Sequence, residues 1–319
     1  MDSCINYYRD ESPSLRYSVG QLFLDNGAYS AARKGITLDE ETIMAVQETL
    51  DPTFTIPLDY PFNARQKSES AMSRLWEKTR RNILRWQTSS SLAGRLIPSL
   101  HAWGKHSLDQ NVGWLTHHAD SEYVALGSLV NSDGGQDPMQ GYFGDRQPRR
   151  QIIDMVLSAI QAIRESSDFK IHLMGFGSSP LMLHLGYYLG IDSTDSSGHR
   201  RKAAFGKIIL MSTGERYLGL DSKVFGKGMS LTNKRVSDVA ELEACSCEIC
   251  LLNKDLLWTD WKARALHNEH TMKMERENAK VLLSYGEDAY ESYLDLIFSG
   301  SSLRNLWDYA KLRKRESVS

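Results

Sequence analysis

Short apolar runs alternate with amphipathic stretches of helical period through the first two-thirds of the chain, and this alternation limits the fold more than any other feature. The runs fall at residues 21–25, 53–58, 97–102, 123–129, 170–175, 191–195 and 207–211, and each reads as a strand. Residues 38–50, 67–85 and 150–164 carry the helical pattern. In the last of these, Ile152, Val156, Ile160 and Ile163 recur at spacings of three and four, which buries one face of a helix. A helix between two strands returns the chain to the same end of the sheet, so the strands pair in parallel through right-handed crossovers. At least six such units favour closure into a (β/α)8-type TIM barrel over an open sheet. With 41% hydrophobic residues in 319, a sizeable core is affordable and disorder is not the default.

A second feature is local. Three of the four cysteines fall within six positions, Cys245-Ser-Cys247-Glu-Ile-Cys250, and His267 follows seventeen residues after the last. Three thiolates and one imidazole make the closed tetrahedral shell that a structural zinc ion prefers. Buried or redox-active thiols are the other reading of the same residues. Clustered cysteines with Cys4 left over suit a reducing compartment. No apolar run approaches membrane-spanning length and the amino terminus lacks a basic-then-apolar leader, so a cytoplasmic protein is expected. A formal charge of −2, from 38 basic and 40 acidic side chains, neither favours nor excludes nucleic acid. Any such contact must come from local patches.

Polar residues collect where the strands end. Asp25 opens Asp25-Asn26-Gly27-Ala28-Tyr29, and Asp59 closes Ile56-Pro57-Leu58-Asp59. Gly127-Ser128 ends the fourth run, Gly175-Phe176-Gly177-Ser178 the fifth, and Asp195-Ser196-Ser197-Gly198 the sixth. A single Asp after a strand is commonly a helix cap or a turn residue. Three of them, each near Gly or Pro at the carboxyl rim of a barrel, make that rim the candidate site. Residues 131–148, rich in Gly, Pro and Asp, read as a long surface loop, either a substrate lid or an insertion. Beyond Met211 the alternation stops, leaving two helical stretches, Glu287–Phe298 and residues 302–315. The expected division is a barrel core with its catalytic rim over residues 1–211 and a zinc-binding, helical subdomain packed on it over residues 212–319.

The motifs at the rim resemble a known family. Ile171-His-Leu-Met174-Gly175-Phe-Gly177-Ser-Ser-Pro180, then Gly190-Ile191-Asp192-Ser-Thr194-Asp195, is similar to the strand-helix-strand core of tRNA-guanine transglycosylases. Their signature there is a Leu-Met-Gly-x-Gly turn, a helix, and a second strand that ends in the nucleophilic Asp. Asp25-Asn26-Gly27-Ala28-Tyr29 resembles the family's Asp-Ser-Gly-Gly-Phe, and Ala125-Leu126-Gly127-Ser128-Leu129 its Ile-Gly-Gly-Leu strand. Pro57-Leu58-Asp59 and Leu266-His267-Asn268 look closest to the archaeal branch, and the cysteine set resembles the family's structural zinc site. The motifs keep the family's order over roughly residues 20–270. The departures are specific. Family members carry further barrel strands before the first motif, whereas here a short segment precedes Asp25, so those strands are shortened, supplied by a partner subunit or lost to a mis-set start. Ser196-Ser197 stand where the family has Cys-Val. No RNA-binding module of the archaeal type follows. A transglycosylase of this kind resembles the DpdA-type branch, linked with phages and bacterial modification clusters, which places 7-deazaguanines in DNA.

The resemblance implies exchange of guanine for a 7-deazaguanine, such as 7-cyano-7-deazaguanine, with retention at the anomeric carbon. Two displacements achieve this, with a covalent sugar–carboxylate intermediate between them. Asp195 matches the nucleophile and Asp25 the acid and base, while Asp59 would accept hydrogen bonds from the base's amine and ring nitrogen. Backbone amides around Gly127 and Ser128 would meet the base carbonyl. Met174 would pack on the base face or serve as ordinary core, and Trp103 would stack on a base or pack in the core. Arg200, Arg201 and Lys202, just after the nucleophile, would hold flanking phosphates of a flipped or single-stranded substrate. DNA is the expected polymer and tRNA, as in queuosine or archaeosine synthesis, the nearest alternative, because the chemistry is indifferent to the 2′-hydroxyl. A non-catalytic nucleic-acid-binding subunit is the rival of another class, and a homodimer or a partner subunit is the expected assembly.

Overall fold

The parallel pairing that the alternation predicts is present up to residue 173, whereas the run at 207–211 pairs antiparallel with a strand just after it. The structure is a computed structural model and describes residues 2–8, 22–62, 68–127, 148–211, 214–218 and 236–318. Strands β1 (Asp2–Ser3), β2 (Phe23–Asp25) and β3 (Phe54–Thr55) pair in parallel in that order. Strands β4 (Ser99–Leu100), β5 (Tyr123–Leu126) and β6 (Lys170–Leu173) do the same. A parallel bridge between Thr55 and Leu96, with the Ile97 N–H donating to Thr55 O at 2.8 Å, joins the two ladders, so neighbours in sequence are neighbours in space. Contacts divide the chain into two units, Met1–Met174 with Glu316–Ser319, and Gly175–Arg315.

In the first unit the strands are separated by α1 (Ala28–Lys34), α2 (Glu40–Leu50), α3 (Glu69–Ser89), α4 (Lys105–His118) and α5 (Pro148–Ser166). Helix α2 starts where Asp39 accepts from the Thr42 N–H at 2.8 Å and from its hydroxyl at 2.7 Å. These bonds hold the Asp39 carboxyl below the usual carboxylate range. The strands are buried on both faces. Leu22, Leu24 and Leu58 pack with Ile43, Val46, Leu50 and Trp86 on one side. Ile56, Ile97 and Ala125, flanked by Phe23, Phe54, Tyr123 and Met174, fill the other. That two-sided burial is why the runs read as continuous apolar segments rather than alternating ones. The strands are shorter than the runs, and helix amides take over from the ladder. Gln47 donates to Ile56 O, Asn82 to Leu58 O and Asn111 to His101 O, at 2.7–2.8 Å.

The second unit holds α6 (Pro180–Leu189), β7 (Ser193–Thr194), α7 (Gly198–Ala204), and β8 (Lys207–Leu210) paired antiparallel with β9 (Gly214–Tyr217). Helix α6 is delimited by its sequence: Ser179 caps it, Pro180 occupies the first turn, and Gly190 at φ 105° ends it. The structure corrects the reading beyond Met211 in two ways. β9 is a strand where no alternation was visible, and four helices, Val236–Ala244, Glu248–Asn253, Leu256–Thr259 and Trp261–Ser284, were not foreseen. The last is hard to read because its buried face carries Arg264, His267, Asn268, Thr271 and Glu275, which hide the usual apolar period. The helices over Glu287–Phe298 and Arg304–Val318 match their expected places. The loop expected over residues 131–148 lies, except for Pro148, outside the described residues. Among those described, no helix is long and apolar enough to cross a membrane.

Candidate active site and metal cluster

In the first unit the strand ends gather a buried polar group around Asp59. Asp25, half-buried at the end of β2, accepts from Ser3 Oγ at 3.0 Å and from the Gly27 N–H at 3.1 Å. Gly27 has φ 83°, and a Cβ there would stand 2.9 Å from Ile5 Cβ, so only glycine fits the turn. Asn26 is buried; its Oδ1 accepts from the Ala28 N–H at 2.8 Å, and its Nδ2 donates to Pro57 O at 2.7 Å and to Asp59 Oδ1 at 3.0 Å. Asp59 Oδ2 lies 2.8 Å from Nε2 of His101, which is 0% exposed. The His101 ring is flanked by Phe62 and Trp76, at centroid distances of 5.3 and 6.3 Å. Gly127 faces that ring: a Cβ on it would come within 2.7 Å of His101 Cε1.

Several expectations change here. The Gly127 N–H donates to Leu100 O at 3.0 Å, so this amide is spent in the ladder and is not turned to a base carbonyl. The glycine is needed instead to make room for an imidazole. Ser128 lies outside the described residues. Met174 is half-buried against Ile56, Ile97 and Ala125. Trp103 sets its edge on Phe62 at 5.9 Å and donates its backbone N–H to Ser107 Oγ at 2.9 Å. Asn26 and His101 were missed by sequence reasoning. Asn26 stands within a motif already singled out, but His101 offered no local signal beyond lying in the third apolar run.

In the second unit the Gly175-Phe176-Gly177 turn clasps the end of β7. The Gly175 N–H donates to Asp195 Oδ1 at 2.8 Å, and the Gly177 N–H to Thr194 Oγ1 at 3.0 Å. A Cβ at Gly177 would stand 2.9 Å from Thr194 Cγ2. The half-buried Asp195 carboxylate is thereby aimed by a backbone N–H. Arg200 and Arg201 are exposed on α7. Lys202, expected at a phosphate, is engaged elsewhere. Its ammonium pairs with Glu215 at 2.7 Å and donates to Ser178 O, and burial pulls its pKa down.

The same unit brings the four predicted ligands together. The Sγ atoms of Cys245, Cys247 and Cys250 lie 3.6, 3.6 and 3.5 Å from His267 Nδ1, and all four ligand atoms fall within 4.8 Å of one another. A tetrahedral ion with metal–sulfur bonds of about 2.3 Å and a metal–nitrogen bond of about 2.0 Å would separate S from N by about 3.5 Å, so the donor set fits zinc. His267 Nε2 meets Ile209 O at 3.2 Å, which fixes the tautomer and leaves Nδ1 to the ion. Burial lowers the His267 pKa to about 4, keeping the ring neutral, and pushes the Cys245 and Cys250 thiols up. A cation is what would make these thiols thiolates. Asn268 braces the cluster: its Oδ1 accepts from the Ile209 N–H at 2.7 Å, and its Nδ2 donates to His199 O and Lys207 O, both at 3.1 Å.

Against curated proteins, the chain finds no match. The family model for queuine tRNA-ribosyltransferase matches residues 26–285, more than half of the sequence and a span that takes in Asp59, Asp195 and all four clustered ligands. The chain belongs to that family, the guanine transglycosylases, which are pentosyltransferases.

Proposed function

We propose that the protein replaces guanine in DNA with a 7-deazaguanine, such as 7-cyano-7-deazaguanine, by two displacements at C1′. Asp195 is the nucleophile, and its carboxylate also stabilises oxocarbenium character as the base departs. Asp25 gives a proton to the leaving base and takes one from the entering base. Asp59 reads the base edge as a double acceptor. The observation that carries this reading is the family match over residues 26–285, a span that includes Asp59 and Asp195 and that Asp25 immediately precedes. The consecutive parallel strands support the barrel reading, with the helical region after residue 211 as a subdomain. Arg200 and Arg201 hold the flanking phosphates. The cysteine cluster with His267 binds zinc in a closed shell, so the ion holds the subdomain together and leaves no open position for substrate.

The polymer assignment follows the likeness to the DpdA-type branch. The name of the matched family supports tRNA as the second reading. Incubation with labelled guanine or 7-cyano-7-deazaguanine, and either duplex DNA or tRNA, separates them. Label entering DNA is expected. Label entering tRNA alone would replace the polymer, and label entering neither would make the chain a non-catalytic subunit.

A further inference from the structure

We infer that His101 is a positioning residue for base recognition, one that fixes the Asp59 carboxylate and depends on the missing side chain at Gly127. The inference rests on the reading of Asp59 as the acceptor for the base edge. A buried carboxylate can turn about its last torsion, and a planar base edge with two adjacent N–H groups needs that plane held to within about 10–20°. Here each oxygen has its own holder. Oδ1 receives the Asn26 amide, itself fixed by Pro57 O and the Ala28 N–H. Oδ2 meets His101 Nε2 at 2.8 Å. The imidazole has little freedom, because Phe62 and Trp76 flank it, Gly127 backs it, and Asn111 ties its backbone carbonyl at 2.7 Å. Every carboxylate oxygen has a second lone-pair direction, so both can still accept from a base. None of these partners touches the reacting sugar in the proposed chemistry; they act through Asp59.

The variants His101→Leu, His101→Gln and Gly127→Ala test this, with KM and kcat measured separately for guanine exchange and preference measured against hypoxanthine, which lacks the exocyclic amine. Leucine removes the hydrogen bond, glutamine returns an N–H at similar reach, and the Gly127→Ala methyl displaces the ring without changing a polar partner. His101→Leu and Gly127→Ala should each raise the guanine KM about tenfold or more and shrink the preference over hypoxanthine, with kcat at saturation little changed. His101→Gln should recover most of both. Wild-type KM and preference in folded His101→Leu would overturn the proposal, as would a His101→Gln enzyme no better than His101→Leu. If His101→Leu does not fold, Gly127→Ala and His101→Gln decide alone. Asp59→Ala separates the two levels: unchanged guanine KM there would remove the base-reading role itself, whereas a large loss there with silent His101 variants would remove only this inference.

Discussion

The cysteine cluster and the Asp59 group are both largely buried sets of four residues, yet they are assembled in opposite ways. Three ligands of the first come from one turn around Cys245, Cys247 and Cys250, and the fourth from the next long helix. The second takes Asn26, Asp59, His101 and Gly127 from four separate strand ends. A metal shell can be read from spacing because its ligands must converge on a point and are cheapest to supply locally. A strand-end site is put together by the parallel ladder, which brings successive carboxyl ends side by side however long the helices between them. The two sites also differ in what they tolerate. The first is closed by its donor set; the second is held by neutral amides and one imidazole around a carboxylate.

The largest expected effect strikes the cluster. Chelation, or Cys247→Ser, should melt the helices that surround it, since structural zinc contributes about 10–16 kcal/mol in small zinc-binding peptides. That matches or exceeds the roughly 5–15 kcal/mol of a whole domain. Helical circular dichroism read alongside zinc content checks this, and full helicity in metal-free protein would restore the buried-thiol reading. Asp195→Asn comes next. It should lower turnover by on the order of 10⁴-fold and abolish any trapped sugar adduct. Zinc content should not change, and a loss of metal would mean that the two sites are not separable.

A smaller effect is expected at the brace. Asn268→Leu strands the Ile209 N–H and the carbonyls of His199 and Lys207, which should cost about 2–4 kcal/mol in urea unfolding. A cost near zero would show that the cluster needs no brace from the long helix. The smallest effect concerns Glu215. Burial opposes its ionisation, but hydrogen bonds from Lys202 and Lys207 outweigh burial and hold its carboxyl below the usual range. A depressed folded pKa contributes stability above the unfolded carboxylate value and loses it as pH falls through the folded one. With the side chain 30% exposed, this contribution is about 1 kcal/mol or less. Glu215→Gln should therefore flatten the acid limb of a melting-temperature profile by lowering the neutral plateau by about 1 kcal/mol or less, with stability at low pH almost unmoved. An unaltered acid limb would release Lys202 from its structural role and return it to the phosphate-binding set with Arg200 and Arg201.

How much could be read without coordinates follows from where the information lies. The run that starts at Tyr123 and the helix around Ile152 and Val156 were legible because each carries its own burial pattern. The helix Trp261–Ser284 was not, because buried Arg264, Asn268 and Glu275 are held by hydrogen bonds to Ala203, Ile209 and His184 instead of by apolar packing. Lys202 looked like a phosphate ligand beside Arg200 and Arg201, but one position along α7 turns it toward Glu215. Gly127 looked like a donor to substrate and is instead a vacancy for His101.

By itself, then, the amino-acid order determined the parallel strand-helix alternation and the metal-ligand set, since both are short-range patterns of burial and spacing. Only the tertiary structure decided which carboxylate oxygen meets which partner. Those contacts join residues far apart in the chain, and their geometry is set by strand register rather than by any local motif.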